Sequence, residues 1–387
     1  MRWLVWVLTA LMLAGCWDNI DIERRALVLG ALVDLAPSNP GGGSEGPWEL
    51  TLEMPILRRM AMRPGGGGGG GEQSDTLPTW RLTVAGATFA EAMRKAATRS
   101  ERQLFFGHQK VLLIGQELAR QRNLAEVLDF WARNRESYLA ITVLLAADRA
   151  EKIFSAQPRF ARSVSMFLQE QSERQIRTSR FVKHNLSEVW AALHGDRDIL
   201  LSRVSAVPGQ GPLELQVSGT GVIREGKLVG WLSPEETQAA LWMAGETRGG
   251  EIIALPVPEL QRVFSLELYR VKNKVEMQKI DDKPGFTVKL NITADVIERM
   301  GSPEALTAPL LRYLEEKARE YIREQLEQVM EKLQRQYRAD VLGFGKKVEE
   351  SYPRWWEEIK GEWRSLFSQA PVSVEVKVTI KQTGMVD

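Results

Sequence analysis

Cysteine is nearly missing from this sequence: Cys16 is the only one in 387 residues. That excludes an intrachain disulfide and any cysteine-rich zinc site. Histidine is scarce as well, and His108, His184 and His194 form no ligand pair at helical spacing, so no metal is expected. An excess of one charge is also lacking, because 51 Lys and Arg against 50 Asp and Glu leave a net +1. No global field therefore selects nucleic acid or an acidic partner. Past residue 15, no apolar run approaches the roughly 20 residues of a membrane-spanning helix. Gly-x-Ser-x-Gly, His-Glu-x-x-His and a dinucleotide fingerprint between strand and helix are missing too. No catalytic residue is assigned, and the chain is not expected to be an enzyme. What is present is the make-up of a folded soluble protein, 44% hydrophobic and 26% charged. Its length suits two or three cores, since a single core rarely grows beyond about 250 residues.

The lone cysteine sits in an informative place. Arg2 supplies a positive charge, and Trp3 to Leu13 is almost wholly apolar. Such a run has the length of a signal-peptide core and is too short to span a bilayer. Ala14-Gly15-Cys16 follows, a small pair and a cysteine that resemble the bacterial lipobox. In proteins with that pattern the thiol receives a diacylglyceryl group and the chain is cut before it. The expected mature chain then has 387 − 15 = 372 residues beginning at Cys16. An ordinary signal peptide, or a buried helix with an incidental cysteine, is the alternative. Two acyl chains are what stable anchoring generally requires.

Along the chain, residues 1–15 form the signal peptide, 16–200 an N-terminal α/β domain, 201–262 a small middle domain and 263–387 a C-terminal domain. In the first, 26–35 reads as a buried strand. Trp48, Leu50, Leu52 and Met54 alternate with polar residues as a half-buried one. The 63–78 segment, with glycines at 65–71, is expected to be a flexible loop. It lacks the Gly-Lys-Ser/Thr of a phosphate-binding loop. Thr88 and Glu91 predict a helix start. Leu104 to Gly115 is predicted as one strand, Glu117 to Arg133 as one helix, and Asp148 with Glu151 as another helix start. A helix over 160–177 and a loop over 197–212 complete this domain. In the middle, 213–223 and 227–232 predict a hairpin, and Ser233-Pro234-Glu235-Glu236 a capped helix ending near Gly245.

The last region has the cleanest periodicity. Phe264, Leu266 and Leu268, then Phe286 to Ile292, then Val372 to Ile380 each alternate apolar with polar. Between them a helix over 309–337 carries the stripe Leu310, Leu314, Ala318, Tyr321, Ile322, Val329, Leu333 and Tyr337, with one gap of seven. Its polar face mixes both charges, so packing on its own sheet is expected over a membrane-surface role. The overall class is α+β and multidomain, with mixed or antiparallel sheets packed with helices. The C-terminal domain is expected to have an antiparallel sheet under one long helix. His108 is predicted to be mid-strand and hydrogen-bonded, and Asp340 to cap a turn. Trp355, Trp356 and Trp363 are predicted to pack in the core.

Several stretches together resemble the Ger(x)C family, the lipoprotein C subunit of bacterial spore germinant receptors. They are Gly15-Cys16-Trp17-Asp18, Leu104 to Gly115, Gly219 to Ile223 with Gly226 to Gly230, Tyr337 to Gly345, and the Trp355, Trp356 and Trp363 cluster. The resemblance covers essentially the whole mature chain, and the glycine-rich loop departs from it. It implies a three-domain α+β lipoprotein on the outer face of the spore inner membrane. Cys16 would be an S-diacylglycerol and N-acyl cysteine, with no other cofactor. The partners implied are two membrane-embedded receptor subunits, A-type and B-type, and no nucleic acid. From another class, a substrate-binding lipoprotein serving a transporter would need two βαβ lobes around a cleft.

Overall fold

The computed structural model describes residue 3 and residues 24–37, 48–56, 78–174, 179–247, 250–299 and 306–382. Apart from Trp3, the predicted signal peptide lies outside the described residues, as do Cys16 and residues 63–77 of the glycine-rich loop. The elements begin with β1 (Arg25–Leu27), β2 (Gly30–Leu35), β3 (Trp48–Pro55), β4 (Thr79–Gly86), α1 (Phe89–Arg99), β5 (Gln103–Phe105) and β6 (Val111–Gly115). Next come α2 (Gln116–Gln121), α3 (Leu124–Arg133), β7 (Thr142–Ala146), α4 (Ala150–Ser155), α5 (Val164–Glu173) and α6 (Leu186–His194). They are followed by β8 (Ile199–Val207), β9 (Glu214–Arg224), β10 (Lys227–Leu232), α7 (Pro234–Ala244), β11 (Glu251–Val257), β12 (Arg262–Ile280) and β13 (Lys283–Arg299). Last are α8 (Ala308–Glu331), α9 (Phe344–Ser351), α10 (Pro353–Ile359), α11 (Trp363–Gln369) and β14 (Val372–Gln382).

Eight strands form one mixed sheet in the order β10-β9-β8-β7-β6-β2-β3-β4, with β2, β6, β7 and β8 parallel. Parallel strands need helical crossovers, which cover both faces, so β6 and β7 are buried at every position. Helices α1, α2, α3 and α6 pack on one face through Ala96, Leu118, Trp131 and Val189. Helices α4 and α5 pack on the other through Phe154 and Leu168. This second cover corrects the reading of β3 as half-buried: Glu49, Thr51 and Glu53 are buried as well.

Other expectations shift for local reasons. Leu104 to Gly115 is two strands separated by a turn, which puts His108 in the turn and exposed, its ring edge-on to Phe105 at 5.9 Å. The hydrogen-bonded partner from that run is Gln109, which accepts from the buried Trp131 Nε1 at 3.1 Å. Helix 117–133 is broken where Asn123 caps α3. Asp148 does not cap α4; its carboxylate accepts from Lys152 Nζ and the Ala206 amide. The predicted 197–212 loop contains β8, since Ile199–Val207 pairs on both sides before Pro208 ends it. The hairpin β9–β10 extends the large sheet, while α7 and β11 join the C-terminal core. The predicted middle domain is thus divided between its neighbours.

The second sheet runs β11-β12-β13-β14. Asp281 and Asp282, both at positive φ, make the two-residue turn that joins its longest strands. Strand β14 is parallel to β13, correcting the expected antiparallel sheet, because helices α8 to α11 carry the chain back to the starting end. Helix α8 buries Leu314, Ala318, Ile322, Val329 and also Leu326, which fills the gap of seven in the predicted stripe. Its last turn, Lys332–Tyr337, widens into a π-helix.

Candidate functional site

The two sheets meet around α7. Ser233 accepts from the Glu236 amide while the Glu236 carboxylate accepts from Ser233 N, and Pro234 opens the first turn. Gly245 in the left-handed region ends it. Residues Thr237 to Met243 are all buried, because β9 lies on one side of α7 and β12 and α8 on the other. Polar groups on this helix are satisfied within the junction. Thr237 shares a hydroxyl hydrogen bond with Thr220 at 3.0 Å, and Trp242 Nε1 donates to Glu251 Oε2 at 2.9 Å. Burial pushes the Glu251 carboxyl up despite that bond and one from Ser179.

At the tip of β9–β10, Glu225 and Gly226 both have positive φ, the two-residue turn that suits a twisted hairpin. A Cβ at Gly226 would sit 2.3 Å from Asn123 Oδ1, so the turn approaches α3 as closely as glycine allows. Around this turn gather a carboxylate, a guanidinium and the end of α8. Asp198 accepts from Asp340 N at 2.9 Å and Glu225 N at 3.4 Å, and Arg364 Nη2 stands 3.6 Å away. Arg364 also pairs with Glu225. Burial pushes the Asp198 carboxyl up to about 6, against the lowering effect of Arg364 and the two amides.

Asp340 behaves as a cap, accepting from Phe344 N at 2.9 Å, Gly345 N at 2.6 Å and Trp363 Nε1 at 3.0 Å. Tyr337 clasps β10: its hydroxyl donates to Trp231 O at 2.9 Å, and Arg224 Nη1 donates to the Tyr337 carbonyl at 2.7 Å. Any Cβ at Gly230 would lie 2.2 Å from that ring. Trp355 is buried, and Trp356 and Trp363 stack edge-on at 5.4 Å, so the cluster packs in the core as predicted.

Three of the stretches that carry the family resemblance therefore converge here: the β9–β10 hairpin, Tyr337 to Gly345, and the tryptophan cluster. Leu104 to Gly115 lies elsewhere in the large sheet. Sequence reasoning missed Asp198, Arg224 and Arg364; the only available signal was an Asp-Arg-Asp run beside an apolar strand. Among the described residues no three His, Cys, Asp or Glu side chains cluster as metal ligands, and no helix is long and apolar enough to cross a membrane. The arrangement couples the two sheets through buried hydrogen bonds and a guanidinium–carboxylate contact.

Comparisons with known proteins agree with this layout. A family model for the spore germination protein N-terminal domain matches residues 18–206. A second, for the C-terminal domain of spore germination B3/GerAC-like proteins, matches residues 218–384. Spore germination protein YndF of Bacillus subtilis (strain 168) is 25% identical, over 98% of this chain and 95% of its own length. Spore germination proteins B3 and A3 of the same organism are 24% and 26% identical, each over at least 96% of both chains. The crystal structure of the GerBC protein superposes with a TM-score of 0.60 at 19% identity, covering 86% of this chain and 93% of that one, a likeness of fold. The gap between the two family models, residues 207–217, spans the β8–β9 connection and the start of β9, so the large sheet draws strands from both.

Proposed function

The chain belongs to the Ger(x)C family of spore germination proteins, and on that premise we propose that it is the lipid-anchored C subunit of a nutrient germinant receptor. It acts without catalysis, by contact with an A-type and a B-type membrane-embedded subunit on the outer face of the spore inner membrane. The observation that carries this reading is the pair of germination-protein models matched in order along the chain. The lipobox-like Ala14-Gly15-Cys16 supports the anchor. A substrate-binding lipoprotein needs an open cleft between two lobes, and in this molecule α7 fills the space between the two sheets.

Deleting the gene is expected to impair germination triggered by nutrients and to spare non-nutrient triggers. Normal nutrient germination in a strain without a paralogue overturns the receptor reading. Cys16→Ala is expected to release the protein from membranes, and retention without the other subunits overturns the anchor.

A further inference from the structure

Strands β2, β6 and β7 are parallel, so their N-terminal ends lie at one end of the large sheet. Hydrogen bonds tie that end together: Lys110 N donates to Leu29 O, Thr142 N to Lys110 O and Ile141 N to Tyr138 O. It presents two large apolar side chains to water, Tyr138 at 65% and Leu139 at 50% exposure. Around them are Arg24, Arg25, Arg102, Lys110 and Arg135, with His108 exposed in the β5–β6 turn. Arg25 lies over the Phe105 ring at 4.4 Å, and β1 pairs with β5, which places Arg24 and Arg25 beside Arg102. Arg24, Arg102, Lys110 and Arg135 have no ion pair among the described residues. Glu101 and Glu136 are interspersed with them, and Glu188, paired with His184, stands beside Leu139, where Ser187 N donates to the Leu139 carbonyl.

Chain length says what covers this end. Cys16 precedes Arg24 by 24 − 16 = 8 residues, a reach of at most about 28 Å when extended. If Cys16 carries the lipid, as proposed above, β1 is held within that distance of the bilayer. We propose that this end of the sheet is a membrane-facing surface that docks on anionic phospholipid headgroups. Tyr138 and Leu139 enter the interfacial region, where amphipathic rings favour the headgroup level. The basic side chains meet lipid phosphates, an attraction that fades beyond a Debye length. The tether brings Asp18, Asp21 and Glu23 along, so the attraction acts between lipid phosphates and the individual unpaired cations of the folded end and not through a net positive charge. The anchor then does more than tie the chain to the membrane, because the second contact fixes which face the rest of the molecule turns toward its partners.

The test uses the lipidated full-length protein, in which the native thiol is consumed and one added cysteine is a unique label. Ala140→Cys marks the proposed surface. Gln210→Cys, at the opposite end of β8, is the control. Each carries a fluorophore, on vesicles containing headgroup spin-labelled phosphatidylcholine as quencher and roughly one-quarter phosphatidylglycerol. Quenching is expected to be roughly threefold stronger at 140 than at 210, and to approach parity on phosphatidylcholine alone or in about 1 M salt. Arg102→Glu with Arg135→Glu, both exposed, is expected to lower the ratio with circular dichroism unchanged. Equal quenching at both positions on anionic vesicles overturns the inference while leaving the anchor standing. A ratio unchanged on neutral vesicles overturns the anionic-lipid assignment. Quenching at 140 that requires added membrane subunits overturns it in favour of a protein interface. An unmodified Cys16 by mass spectrometry overturns the anchor reading and the inference together.

Discussion

Glu53 and Asp198 are both buried carboxylates, and their surroundings differ in kind. Glu53 lies within the large sheet at the N-terminus of α5. It accepts from Ser165 N at 2.8 Å, Ser165 Oγ at 2.6 Å, Val164 N at 3.2 Å and Thr79 Oγ1 at 3.3 Å. Helix N-termini favour such charge, and Arg81 stands opposite on β4. All its partners belong to one folding unit. Asp198 takes its partners from the β9–β10 turn, the segment after α8, and α11. None of those elements saturates it, and its carboxyl is pushed up to about 6. One site holds a domain together, and the other joins two bodies and titrates near neutrality.

The comparison can be broken at either end. Glu53→Ala leaves the Val164 and Ser165 amides and the Ser165 hydroxyl without an acceptor and removes the carboxylate facing the half-buried Arg81. The expected loss is about 2–4 kcal/mol, the cost of leaving several buried donors unsatisfied, read as a lower urea midpoint for the N-terminal body. Asp198 makes a smaller, pH-dependent contribution. Its folded pKa of about 6 exceeds the ordinary 3.8, so its stabilisation is complete below about pH 4 and lost as pH rises through 6. The full excursion is about 3 kcal/mol. Asp198→Asn should flatten this part of the stability curve, and an unchanged slope between pH 4.5 and 7.5 in urea titrations would refute the assignment. Gly230→Val drives a side chain into the Tyr337 ring and should cost about 1–3 kcal/mol, as overpacking does. Faster amide exchange in β10 and 332–340 than in β2 and β6 would localise that cost to the junction.

How far the sequence could be read depended on how many faces an element buries. In the C-terminal sheet, Phe264, Leu266 and Leu268 alternate cleanly because only one face is covered, and that pattern survived into the structure. In the large sheet, β3 has the same alternation, yet its polar side is buried too. Nothing in Glu49-x-Thr51-x-Glu53 shows that α5 and Arg149 will arrive to satisfy those groups. The run at 104–115 is apolar only at its two ends, and the turn falls at its polar centre, Gly107-His108-Gln109-Lys110, which is as short as a strand's own polar positions and so reads as part of one.

Local chemistry settled by residues close in the chain was therefore determined by the sequence alone. This includes the capped start of α7 at Ser233 and Glu236, the cap at Asp340, the helical stripe of α8, and the solitary Cys16 behind an apolar run. Tertiary structure alone decided the strand order, the parallel entry of β14, the sandwiching of α7, and the meeting of Asp198 with Arg364, which stand 364 − 198 = 166 residues apart. The physical reason is range. Caps and periodicity act over one helical turn or one strand, whereas burial and ion pairing depend on which distant surfaces the folded chain brings together.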